Sequence, residues 1–134
     1  LLIDTMMKKT IPLLLLLVST SIFAEWTSMG GNEDTTLYID FQTMHKEGQI
    51  VDLWNMIDNK TTQVSGNYNY LSEKNHFEYD CEKETLRILG GSYYADHMGK
   101  GDTVFEQLNL KENPEKITVG AMTEVLWKIA CDKK

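Results

Sequence analysis

Apolar and polar residues alternate regularly from His76 to Cys81. Phe77, Tyr79 and Cys81 fall on one side of an extended chain, and the polar residues between them fall on the other. Because successive side chains of a β-strand point to opposite faces, this pattern predicts a strand with one buried face and one solvated face. It is the clearest strand signal in the chain.

Other segments carry strand-forming residues between polar turns. They cover residues 26–29, 35–40, 50–58, 86–94 and 103–108, and the strand that ends at Cys81 is expected to begin near residue 68. The segment 50–58 has apolar side chains on both faces, which predicts a central strand covered on two sides. Residues 41–48 are expected to contain one helical turn and residues 59–66 a turn region, while Gly90-Gly91 allows a bulge.

The C-terminal segment has a helical period instead. From Val119 to Cys131, apolar residues recur at spacings of three and four, which is typical of an amphipathic helix. Thr118 is the expected N-cap of this helix. The chain therefore predicts an α+β domain, in which an antiparallel sheet is closed by one C-terminal helix.

The first 24 residues have the three parts of a secretory signal peptide. A basic pair, Lys8-Lys9, precedes the apolar run Ile11–Val18, and small residues lead to a cleavage point after Ala24. The apolar run is well short of the roughly 20 residues that span a bilayer, so we expect no integral membrane span.

Two further expectations follow from this leader. Translation is expected to start at Met6 or Met7, and residues 25–134 are expected to form a single mature domain of ordinary size. A lipoprotein needs a cysteine at the cleavage point, and the first cysteine of the sequence is Cys81. We therefore expect a periplasmic or secreted protein that is not a lipoprotein.

The composition is acidic. The full chain has a formal net charge of −7, and the leader removes two lysines and one aspartate, which leaves −8 on the mature chain. Such a surface argues against nucleic acid and against anionic lipid as partners, because both are polyanions.

Cys81 and Cys131 are the only cysteines. In an exported domain two cysteines most simply form one disulfide, and two free thiols or a metal-binding pair are the alternatives. No C-x-x-C motif is present, so the sequence predicts no thioredoxin-like redox site.

The polar residues form no recognisable catalytic, metal-binding or phosphate-binding motif. His76, Glu78 and Asp80 share one strand face and are candidate metal ligands, but a solvated face has the same pattern, and structural zinc sites use defined Cys and His spacings. Gly99-Lys100-Gly101 lacks the rest of a phosphate-loop motif and predicts a hairpin turn. We predict no metal, no cofactor and no enzymatic activity, with hydrolysis by an unidentified carboxylate pair as a remote alternative.

Four tyrosines are a candidate interaction surface: Tyr68, Tyr70, Tyr93 and Tyr94. Tyrosine is enriched at protein interfaces, where it brings a large contact area at a low entropic cost. It is also an ordinary strand residue, so packing within the sheet is the alternative interpretation. Because Tyr93 and Tyr94 are adjacent on one strand, they are expected to face opposite sides.

Several short stretches together resemble the surface-adhesin protein E family of Gram-negative bacteria. They are Trp26, Leu37-Tyr38-Ile39-Asp40, the segment Val51 to Met56 with Trp54, Phe77-Glu78-Tyr79-Asp80-Cys81, Tyr93-Tyr94, Gly99-Lys100-Gly101 and Leu126-Trp127-Lys128-Ile129-Ala130-Cys131. The resemblance implies a curved antiparallel sheet of about six strands with a C-terminal helix packed on it. It also implies a disulfide between helix and sheet, and binding of host proteins such as vitronectin, laminin and plasminogen.

We therefore expect an exported, non-enzymatic binding module that functions in cell adhesion. Self-association as a homodimer, through a sheet edge or exposed aromatic residues, is part of this expectation. The alternative is a periplasmic protein that binds a small ligand, or an envelope-associated protein without an assigned role, with a pocket on the concave face of the sheet. A deep apolar pocket with a few convergent polar groups would favour this alternative.

Overall fold

The computed structural model describes residues 25–134, and the predicted signal peptide lies outside them. Seven strands are followed by one α-helix, with a single turn of 3-10 helix at His97–Gly99. The strands are β1 (Thr27–Gly31), β2 (Thr35–Glu47), β3 (Ile50–Ser65), β4 (Tyr68–Asp80), β5 (Thr85–Tyr94), β6 (Thr103–Gln107) and β7 (Glu115–Lys116), and the helix is α1 (Met122–Ala130). Within residues 25–134, no helix is long and apolar enough to cross a membrane.

The first six strands form one antiparallel sheet in chain order, from β1 at one edge to β6 at the other. The short strand β7 pairs with the start of β5, beyond the end of β6. Sequential hairpins of this kind need only short connections, which the sequence supplies at its polar turns. The predicted α+β class, with a sheet of about six strands and a C-terminal helix, is confirmed.

The core lies between one face of the sheet and α1. Its fully buried side chains include Ile39 from β2, Leu53 from β3 and Leu126 from α1. Phe77 and Tyr79 of β4 belong to the same cluster, and the Tyr79 hydroxyl donates a hydrogen bond of 2.9 Å to the Thr123 carbonyl of the helix. The alternation therefore identifies the buried face of this strand correctly, and the structure places that face beneath the helix.

A disulfide joins the two ends of this packed unit. Cys81 directly follows β4 and Cys131 directly follows α1, with their Cα atoms 5.5 Å apart. No free cysteine remains in residues 25–134. The disulfide between helix and sheet is confirmed.

The expected helical turn at residues 41–48 is wrong. Strand β2 continues to Glu47 across an irregularity between Asp40 and His45, where four residues of β2 lie opposite one residue of β3. The Thr43 hydroxyl donates to the Asp40 carbonyl at 2.7 Å and accepts from the Trp54 amide at 3.2 Å. A threonine inside the bulge therefore replaces the missing ladder bonds, so the chain stays extended.

The turn expected at residues 59–66 is also misplaced. Strand β3 runs on to Ser65, and the chain reverses at Gly66 and Asn67. A second irregularity follows Asp58, and there the buried Asn59 amide donates to the Leu71 carbonyl of β4 at 3.0 Å. This cross-strand bond is a tertiary contact that turn-forming residue types do not indicate.

The helix begins later than its period predicts. Its first residue is Met122, and neither Thr118 nor the N-terminal neighbour Ala121 provides a side-chain cap. Gly120 has a φ of +83°, which a right-handed helix excludes, so residues 118–121 form a turn before the helix. The expected N-cap at Thr118 is therefore wrong.

Candidate functional site

Four aromatic rings form a continuous surface on the sheet, which we call the aromatic patch: Tyr68, Tyr70, Tyr93 and Phe105. The Tyr70 and Tyr93 rings stack with centroids 4.0 Å apart, and Phe105 contacts Tyr93 at 5.3 Å and Tyr68 at 5.0 Å. Tyr93 lies directly opposite Phe105 in the β5–β6 register, which explains their contact. Tyr68 is 40% exposed, and the other three are partly exposed.

The patch contains three of the four predicted tyrosines. Tyr94 follows Tyr93 along β5 and therefore faces the opposite side of the sheet. There the Lys74 ammonium lies 5.0 Å from the centre of the Tyr94 ring and 5.6 Å from that of Trp26. Tyr94 thus belongs to a separate groove of about 410 Å³ that also contains Trp54.

A pocket of about 510 Å³ lies on the helix side of the sheet and shares Tyr70 with the aromatic patch. We call it the helix-side pocket. Its apolar lining side chains are Met29, Leu37, Ile57, Met122 and Val125, and its larger polar ones are Asn59, Gln63, Tyr70 and Glu73. Asn32, Thr35 and Thr36 add further polar groups, and the volume is within the range of small-molecule sites.

Glu73 is the only charged side chain among the described residues that line this pocket. Burial raises the pKa of its carboxyl above the ordinary value, while the Asn75 side chain, as a hydrogen-bond donor, lowers it. Burial also raises the pKa of Tyr70 to about 12, and the nearby Glu73 and Tyr93 add to the increase. The pocket therefore holds one poorly solvated carboxyl group beside a neutral phenol.

Replacing Glu73 by glutamine should change how stability depends on pH. A raised carboxyl pKa means that folded Glu73 keeps its proton to a higher pH than in the unfolded chain, where the pKa is about 4.3. The stability that protonated Glu73 contributes is therefore present at low pH and is lost as the pH rises from about 4.3 through the folded-state pKa.

Since glutamine does not titrate, the stability of Glu73→Gln relative to that of the wild type should increase as the pH rises from about 4 to about 7.5. Urea unfolding at both pH values measures this difference, and Glu82→Gln, at an exposed turn, controls for the loss of one negative charge. A Glu73→Gln variant that loses stability relative to the wild type over this interval would contradict the prediction.

The outward polar residues of β4 are engaged within the chain. The His76 ring stacks on Trp54 with centroids 4.8 Å apart, and its Nε2 lies 2.7 Å from an Asp52 carboxylate oxygen. Glu78 accepts a hydrogen bond of 2.6 Å from Arg87. Asp80 accepts the backbone amides of residues 82 and 83 and shapes the turn before β5. In residues 25–134, no group of three potential ligands is arranged to hold a metal ion.

A family model for surface-adhesin protein E matches residues 26–132. The chain belongs to the surface-adhesin protein E family. The match covers almost the whole described domain, so the sequence resemblance to this family is confirmed. Membership in a family of surface adhesins indicates an exported, adhesin-like binding protein.

Solved structures of protein E from Haemophilus influenzae share the fold of this family member. One is 14% identical with a TM-score of 0.57, and the match covers 83% of this chain and 86% of that one. Another, from non-typeable Haemophilus influenzae, is 16% identical with a TM-score of 0.55, and the match covers 84% of this chain and 79% of that one. No curated protein sequence matches the chain.

Two residues of this adhesin E domain are not predicted from sequence as part of a site. Phe105 falls in a predicted strand, but only the register places it against Tyr93. The sequence does contain a pattern that could have identified Glu73. When the alternation of Phe77 and Tyr79 is extended back along β4, residue 73 falls on the buried face. A carboxylate at an inward position of a strand is a reason to expect a pocket.

Proposed function

We propose that the protein is an exported, non-enzymatic binding module that attaches to host extracellular proteins through the aromatic patch. The aromatic patch is the observation that supports this proposal most directly. Partly exposed tyrosine and phenylalanine side chains in mutual contact form a rigid apolar surface, of the kind that dominates binding energy at protein interfaces. Vitronectin, laminin and plasminogen are the ligands that the family resemblance implies.

Removing a central ring of the aromatic patch should weaken binding to such a ligand. We expect Tyr93→Ala and Phe105→Ala each to reduce affinity at least tenfold, because truncation of a central aromatic residue at an interface typically costs about 2 kcal/mol or more. Biolayer interferometry on immobilised vitronectin, laminin and plasminogen measures the change.

Tyr94→Ala is the matched control, since it removes an adjacent tyrosine from the other face of the sheet. Equal losses for Tyr93→Ala and Tyr94→Ala would contradict a role for the patch in particular. Protease shaving of intact cells tests the location: a protein wholly protected inside the outer membrane would contradict host adhesion.

A second candidate function is the binding of a small ligand in the periplasm. The helix-side pocket supports it, because a cavity of about 510 Å³ there combines apolar side chains from the sheet and the helix with polar groups that could orient a ligand. The two functions use neighbouring parts of one face and share Tyr70. Variants that fill the pocket without altering the patch therefore separate them.

A further inference from the structure

We propose that the helix-side pocket binds a small amphiphilic amine, with the apolar part against α1 and the ammonium group at Glu73. This inference rests on the second candidate function and specifies its ligand class.

The apolar part of such a ligand is matched by the pocket walls. Met29 and Ile57 come from the sheet, and Met122 and Val125 come from the helix. Val125 is 46% exposed although it belongs to the only α-helix of residues 25–134, so its side chain has apolar area left to bury. Methionine side chains adapt to ligands of different shape, because they are unbranched and flexible.

The ammonium group of such a ligand is matched by the Glu73 carboxylate. Among the described residues, no lysine, arginine or histidine lies within ion-pair distance of its carboxylate or lines the pocket. Lys74, the next residue of β4, points to the other face and lies against Tyr94 and Trp26. A carboxylate that is partly removed from water and has no cationic partner gains most from a cation that arrives with the ligand.

The same charge discriminates against other amphiphiles. A carboxylate ligand would place a second negative charge beside Glu73, and a neutral alcohol would leave Glu73 without a counter-charge. The overall negative charge of the protein, −7 for the full chain, favours the approach of cations as well.

Three probes with the same alkyl chain test this inference: octylammonium, 1-octanol and octanoate, each below its aggregation concentration. Methyl NMR of labelled methionine reports on the site, because Met29 and Met122 line the pocket while the buried Met56 lies elsewhere, beside Gly99. We expect octylammonium to shift the signals of Met29 and Met122, to leave that of Met56 unchanged and to bind about tenfold more tightly than the other two probes.

Two variants locate the interaction. Glu73→Gln should reduce octylammonium binding about tenfold, to the level of octanol, because it removes the charge and keeps the shape. Val125→Trp should abolish binding of every probe while Glu73 is intact, because it fills the pocket from a half-exposed helix position. If Glu73→Gln does not fold, Val125→Trp together with the three-probe comparison still decides the question.

The outcomes separate the inference from the function on which it rests. If all three probes bind at the pocket with similar affinity, a small-ligand pocket stands and the amine class is wrong. If none of the probes shifts the methyl signals of Met29 or Met122, both the ligand class and the small-ligand function are overturned.

Discussion

Replacing Cys131 by serine should lower the free energy of unfolding by about 2–5 kcal/mol. The Cys81–Cys131 bond closes a loop with a sequence separation of 50, for which loss of chain entropy in the unfolded state corresponds to about 4 kcal/mol. A domain of this size has a total stability of only about 5–15 kcal/mol, so the loss is a large fraction of it. Urea unfolding at pH 7 measures the change.

Reduction of the wild-type protein provides a matched control for this substitution. With excess dithiothreitol, the wild type and Cys131→Ser should unfold at similar urea concentrations, because neither then has the cross-link. Mass spectrometry of the oxidised protein should show two hydrogens fewer than the dithiol form. A reduced wild type as stable as the oxidised protein would contradict the prediction.

Replacing Leu126 by alanine should destabilise the protein by about 2–5 kcal/mol. Leu126 is fully buried and is one of only two buried residues of α1, the other being Ala130. The helix has nine residues, which is too short to be stable alone in water, so it depends on its packing against the sheet. A cavity at Leu126 therefore weakens the main attachment of the helix apart from the disulfide.

Val125→Ala is the control for Leu126→Ala. It removes apolar atoms from the neighbouring helix position, which is 46% exposed, and should change stability by less than about 0.5 kcal/mol. In hydrogen-exchange measurements, Leu126→Ala should increase the exchange rate of α1 amides relative to the wild type more than it increases that of β3 and β4 amides. If the two substitutions destabilise equally, Leu126 does not anchor the helix.

The sequence predicts the parts of this fold that depend on local alternation. The buried face of β4 follows from Phe77 and Tyr79, which repeat with the period of a strand. Gly90-Gly91 also marks a real irregularity, since the β4–β5 register shifts beside Gly90. These features need only neighbouring residues, and neighbouring residues are what a sequence pattern contains.

The features that the sequence pattern does not predict depend on residues that are distant in the chain. Strand β2 continues past Asp40 because Thr43 bonds to the Trp54 amide of the next strand, and β3 continues past Asn59 because Asn59 reaches Leu71. The residue types predict a helical turn at residues 41–48 and a turn region at residues 59–66, and tertiary hydrogen bonds override both preferences. The same limit applies to the site, where Phe105 and Tyr93 meet only through the register of β5 and β6.

The disulfide determines what a proteolytic cut would do to the molecule. The exposed connection at residues 111–114 lies inside the covalent ring that Cys81 and Cys131 close. A single cut there would leave two peptides joined by the cystine bridge, with α1 still tethered to the end of β4. A nicked molecule would therefore keep its helix tethered, and the two fragments would separate on a denaturing gel only after reduction.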